Sequence, residues 1–145
     1  MLKEKTVYQE IGDFVNSWQE VRPAVKGCFE RLVELVKGLE GVDCTFISRP
    51  GISYSLRPRH RLQQERDFFM ILDVIDDEPD ARWLSVCFYS DLISDVEERG
   101  EVIPGGLAGS DGYCFNLFEA DKEMADYLEK RCIEACRTII SQSAG

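Results

Sequence analysis

The chain has 145 residues, 44% of them hydrophobic and 30% charged, with a formal net charge of −10 at pH 7. That length suits one α+β domain over 1–145 that buries roughly 70% of its unfolded surface without staples, and the apolar content excludes a disordered chain. The negative charge opposes general binding to nucleic acid or anionic membrane, because both depend on a positive surface that neutralises phosphates.

In chain order, Val7, Ile11, Phe14, Val15 and Trp18 recur at three- and four-residue steps and predict a first helix over Val7 to Val21. Arg22-Pro23 predicts a kink or turn, with Pro23 in the first turn of a second helix. That helix carries Val25, Cys28, Phe29, Leu32, Val33, Val36 and Leu39 on one stripe, and Gly38 and Gly41 offer its exit. The period then changes to two. Val42, Cys44 and Phe46 predict one strand and Ile52, Tyr54 and Leu56 a second, joined by a Pro50-Gly51 turn of type II. Phe68 to Ile75 and Trp83 to Tyr89 predict two central strands that are apolar on both faces. Between Asp91 and Gly112 the expectation is a short helix near Ser94 to Arg99, then a mobile glycine-rich loop from Pro104 to Gly112. Tyr113 to Phe118 predicts a last strand, and Asp121 caps a C-terminal helix that carries Leu128, Cys132, Cys136 and Ile139.

These elements add up to N-terminal helices, a mainly antiparallel sheet of about five strands and a C-terminal helix. Two arrangements remain open: helices on both faces of the sheet, or all on one face with the other left to a dimer partner. No apolar run approaches the ~18 residues of a membrane span, and Met1 to Lys5 do not form a signal-peptide core, so a cytoplasmic location is expected. Cys28, Cys44, Cys87, Cys114, Cys132 and Cys136 are accordingly expected as reduced, core-like thiols. They contain no C-x-x-C pair, so no metal or other cofactor is expected.

The most unusual segment is Arg49 to Arg66, where Arg49, Arg57, Arg59, Arg61 and Arg66 accompany the only histidine, His60, and the only acidic residue is Glu65. The first expectation is self-neutralisation, with these arginines pairing with the chain's own carboxylates, including Asp76, Asp77, Glu78 and Asp80. The alternative is that Arg49, Arg57, Arg59, His60, Arg61 and Arg66 form a binding site for a phosphate or an acidic peptide. His60 is expected as an exposed loop residue and the 76–80 turn as solvated, while Asp73 interrupts the apolar second face of a central strand.

The plan of an acidic α+β domain with terminal helices resembles that of the small dimeric chaperones of bacterial secretion systems. No motif transfers position by position, so no family follows from it. The leading functional expectation is a non-enzymatic module that binds a protein or peptide, or a second copy of itself as a homodimer. The alternative is a small anionic-ligand domain, for phosphate or nucleotide, that uses the arginine segment with the glycine loop closing over it. A hydrolase or transferase built on His60 and Asp73 ranks last, having only titratable side chains to support it.

Overall fold

The computed structural model describes residues 6–19 and 23–143. The turn expected at Arg22-Pro23 falls on Glu20 to Arg22 and so lies outside the described residues. Helix α1 (Val7–Ser17) opens with a capping box. The Thr6 hydroxyl accepts the Gln9 N–H at 3.1 Å, and the Gln9 side-chain oxygen accepts the Thr6 N–H at 2.9 Å. Helix α2 (Pro23–Gly38) starts at its proline, and α3 (Lys122–Ser143) is capped by Asp121, which accepts the Met124 N–H at 2.8 Å.

The strands are β1 (Val42–Arg49), β2 (Ser53–His60), β3 (Met70–Ile75), β4 (Trp83–Tyr89), β5 (Glu101–Leu107) and β6 (Ser110–Leu117). They form one antiparallel sheet in the order β1-β2-β3-β4-β6-β5. The β1–β2 connection turns at Pro50-Gly51 as expected: Gly51 has φ 83° and the Ile52 N–H donates to the Arg49 carbonyl at 2.9 Å.

The sheet has six strands against the expected five, and the extra one is β5. The stretch from Pro104 to Gly112 is therefore a hairpin and not a mobile loop. β5 lies at the sheet edge, where proline's missing N–H is tolerated, and its register with β6 shifts between Ile103 and Leu107. The short helix expected near Ser94 to Arg99 does not form either. The Asp95 carboxylate accepts the Arg99 N–H at 3.0 Å, the Gly100 N–H at 2.8 Å and the Tyr127 hydroxyl, which folds the segment into turns.

Strand alternation and helix contacts together place every helix on one face. Phe46, Leu56, Leu72, Val86 and Phe115 lie side by side across the sheet, as do Tyr54, Val74, Leu84 and Leu117 in the next row. Phe14 of α1 stacks on Tyr54 with ring centroids 4.1 Å apart and meets Phe46 at 5.8 Å, while Tyr127 of α3 meets Phe115 of that face at 6.1 Å. Phe29 of α2 packs edge-on against Phe14 at 5.9 Å, and Arg31 of α2 bonds to Asp126 and Glu129 of α3. The sheet residues of this face, together with the helix stripes, form one connected hydrophobic core.

Two sequence expectations about side chains are corrected here. Asp76 is not in a solvated turn. It ion-pairs with Arg82 at 2.7 Å and accepts the Gly51 N–H at 2.9 Å, with side-chain exposures of only 4% for Asp76 and 11% for Arg82. Nor are all six cysteines thiols. Cys87 of β4 and Cys114 of β6 stand directly opposite each other, with Cα atoms 4.2 Å apart, and are joined as a disulfide. Cys28, Cys132 and Cys136 are buried free thiols, and burial pushes Cys28 and Cys136 up to about 11.

Candidate functional site

Among the described residues, the other face of the sheet carries no helix. Its rows run Ile47, Ser55, Asp73, Ser85, Asn116 and Arg49, Ser53, Ile75, Trp83, with Thr45 opposite Arg57 on β1–β2 and Ile71, Cys87, Cys114, Glu101 in line across β3, β4, β6 and β5. Ile47, Ile71, Ile75 and Trp83 are only half-buried there, whereas Leu72, Val74, Leu84 and Val86 beside them in the same strands are fully buried on the helix face. The Trp83 ring stacks on the exposed Phe118 at 4.6 Å and extends the apolar area past the end of β4. Central strands that read as apolar on both sides are thus covered on one side only.

At the β1–β2 margin of this face, Arg57, Arg59 and Arg61 converge on a cleft of about 650 Å³, with Thr45, Ile47 and Phe68 in its walls and the carboxylates of Asp43 and Asp67 also lining it. Arg57 and Arg59 share a face because they are two residues apart on β2. The Arg57 Nε donates to the Ser55 hydroxyl at 3.1 Å, and its guanidinium lies 5.9 Å from the Phe68 ring centre. Arg59 donates to the Gln63 carbonyl at 3.1 Å. Among the described residues, Arg49, Arg57, Arg59 and Arg61 make no ion pair. The expected pairing with the 76–80 turn is therefore overturned, because Asp76 is committed to Arg82. Of the five arginines, Arg66 alone pairs, with Asp91 at 2.8 Å, and its guanidinium sits 3.8 Å over the Tyr89 ring.

His60 does not belong to this cleft and is not an exposed loop residue. It is the last residue of β2 and is 3% exposed, with its Nδ1 accepting the Leu62 N–H at 3.1 Å. Its backbone N–H donates to Gln63 Oε1 at 2.9 Å, and the Gln63 side-chain amide in turn donates to the Phe68 carbonyl at 2.8 Å. His60 and Gln63 together fix the turn that follows Arg59 and contains Arg61. Burial first, and then the neighbouring Arg61, lower its pKa and favour the neutral ring.

Asp73 lies at the centre of the helix-free face, between Ser55 of β2 and Ser85 of β4. Its Oδ1 is buried without a hydrogen-bond partner, and burial raises its pKa against the opposing pull of the Ser55 hydroxyl, Arg57 and Arg49. His60, five residues from Ser55 along β2, faces the opposite side of the sheet, so His60 and Asp73 cannot act as a catalytic pair. The glycine-rich hairpin β5–β6 is separated from the arginine cleft by β3 and β4, and so cannot close over it.

Sequence reading located the arginines, but it did not find Asp43, Asp67 and Phe68 in their cleft. The i, i+2 spacing of Arg57 and Arg59 on a strand is a readable signal for a shared face. The approach of the segment from Leu62 to Phe68 is not. Compared with protein-family models, curated proteins and solved structures, the chain matches none.

Proposed function

We propose that this protein is a non-enzymatic interaction module that binds a polypeptide partner on the helix-free face of its sheet. The observation that carries this reading is the packing of α1, α2 and α3 on one face only, which leaves Ile47, Ile71, Ile75 and Trp83 incompletely covered on the other. The face is mixed, with half-buried Ile47, Ile71, Ile75 and Trp83 alternating with Ser53, Ser55, Asp73 and Ser85, and a protein-binding surface of ordinary composition is mixed in the same way. Its size also suits the role. Six strands at ~4.8 Å spacing and about six residues at ~3.3 Å rise span roughly 600 Å², and adjoining loops bring this toward the ~800 Å² per partner of an ordinary interface.

A displayed library of random peptides, selected on the wild-type protein and re-screened on Ile71→Glu and Trp83→Asp variants, tests the reading. Recovered peptides should bind the wild type and lose binding to both variants while circular dichroism shows the fold retained. Failure to recover any binder, or binders indifferent to both substitutions, would overturn it. So would a homodimer in light scattering that Ile71→Glu dissolves, because the face would then belong to a second copy.

A further inference from the structure

Resting on the proposed polypeptide-binding face, we infer that the cleft lined by Arg57, Arg59 and Arg61 receives carboxylate side chains of an extended acidic segment of the partner. Three observations converge on it.

First, the guanidiniums of Arg57 and Arg59 are held in place by neutral groups. Ser55 and Phe68 hold Arg57 and the Gln63 carbonyl holds Arg59, and neither guanidinium makes an ion pair with a carboxylate of the described residues. Donors fixed before binding lose little side-chain freedom when an acceptor arrives. On a chain of net charge −10, which has carboxylates to spare, the absence of ion pairs at these arginines contrasts with Arg31, Arg66, Arg82 and Arg131, all of which are paired.

Second, the spacing suits a strand. Arg57 and Arg59 lie two residues apart on β2, roughly 7 Å along the strand, the same distance that separates alternate side chains of an extended peptide. Residues i and i+2 of such a peptide, laid along β2, would each meet one arginine, with the small Thr45 opposite Arg57 leaving room on the β1 side.

Third, the balance of charge favours carboxylate over phosphate. Asp43 and Asp67 line the same cleft, leaving three guanidiniums against two carboxylates. Two carboxylates set ~7 Å apart place one charge opposite each guanidinium, whereas a phosphate concentrates nearly two charges at one point beside Asp43 and Asp67. The rest of the acidic surface acts weakly at this range, since charges beyond ~8 Å are screened at physiological salt.

The test is fluorescence anisotropy with a labelled peptide alternating glutamate and valine, beside a counterpart with glutamine in place of glutamate. The glutamate peptide should bind, weaken with added salt, and lose at least about tenfold in affinity on the Arg57→Gln, Arg59→Gln double substitution, while Arg59→Lys loses less. Thermal unfolding of each variant checks that the fold is kept. Equal binding of the glutamine peptide, or indifference to the double substitution, overturns the carboxylate assignment. If that glutamine peptide still responds to Ile71→Glu, the binding face stands and only the acidic preference falls. Displacement by inorganic phosphate at matched ionic strength overturns the assignment as well, since it would make the cleft a phosphate site.

Discussion

Replacing Asp76 by alanine should unfold the protein about 10 to 16 °C earlier. Asp76 sits at the end of β3, where its carboxylate holds both Arg82 and the Gly51 N–H of the β1–β2 turn. The Arg82 guanidinium is packed 5.3 Å from the Phe14 ring centre and 5.4 Å from that of Tyr54, so the pair ties the hairpin turn, β4 and α1 together. With the two side chains only 4% and 11% exposed, deleting one partner strands a buried charge, at a cost of roughly 3–5 kcal/mol. A chain of 145 residues unfolds with an entropy of roughly 0.3 kcal/mol/K, which converts that cost into the stated shift. Differential scanning calorimetry on Asp76→Ala, Arg82→Met and the double variant measures it. The double variant should lose about 2 kcal/mol less than the two singles added together, because no unpaired charge remains. Additive losses, or an Asp76→Ala shift below about 3 °C, would show that the pair is not buried as described.

The centre of the helix-free face should respond to pH in the opposite sense to an ordinary paired carboxylate. The folded pKa of Asp73 is raised above its usual 3.8, so the stability it contributes is full below that pH and is lost as pH rises through the folded value. Asp73→Asn should therefore be more stable than wild type at pH 7 by up to about 1 kcal/mol, with the gain vanishing below pH 3.8, as followed by urea unfolding across pH. A loss of stability at neutral pH would contradict this. Reducing the Cys87–Cys114 bond, which closes a separation of 27 residues, should cost up to about 3.5 kcal/mol and lower the guanidinium midpoint. An unchanged midpoint both on reduction and in the Cys87→Ser, Cys114→Ser variant would rule that contribution out.

Much of the fold was readable because local periodicity and tertiary burial agree. The stripes of α2 and α3, the Pro50-Gly51 turn and the central place of β3 and β4 all follow from period and turn chemistry alone. β5 was hidden because Pro104, Gly105 and Gly106 are breakers in most settings, and only an edge position with an irregular register accommodates them. The segment near Asp95 has helix-like composition, but the competing hydrogen bonds come from its own side chain and from Tyr127, 32 residues away. His60 and Asp76 were misplaced for the same reason. Each looks polar and exposed in sequence, and each is buried by a partner no local pattern reveals: the Leu62-Gln63 turn for His60 and Arg82 for Asp76. The arginine cluster was visible as composition. Its convergence became visible only when β2 alternation and the return of Phe68 put three of the five arginines around one cleft.

The one-sided packing of the helices supplies matched controls within single strands. In β3, Leu72 and Val74 face the core while Ile71 and Ile75 face outward; in β4, Val86 and Leu84 alternate with Trp83 and Ser85. Neighbours share backbone and strand pairing but differ in burial and in the side of the sheet they face. Truncating an inward residue should report on folding, and truncating the adjacent outward one on the proposed recognition. Each strand thus carries the means to separate a loss of fold from a loss of the binding proposed for the outer face.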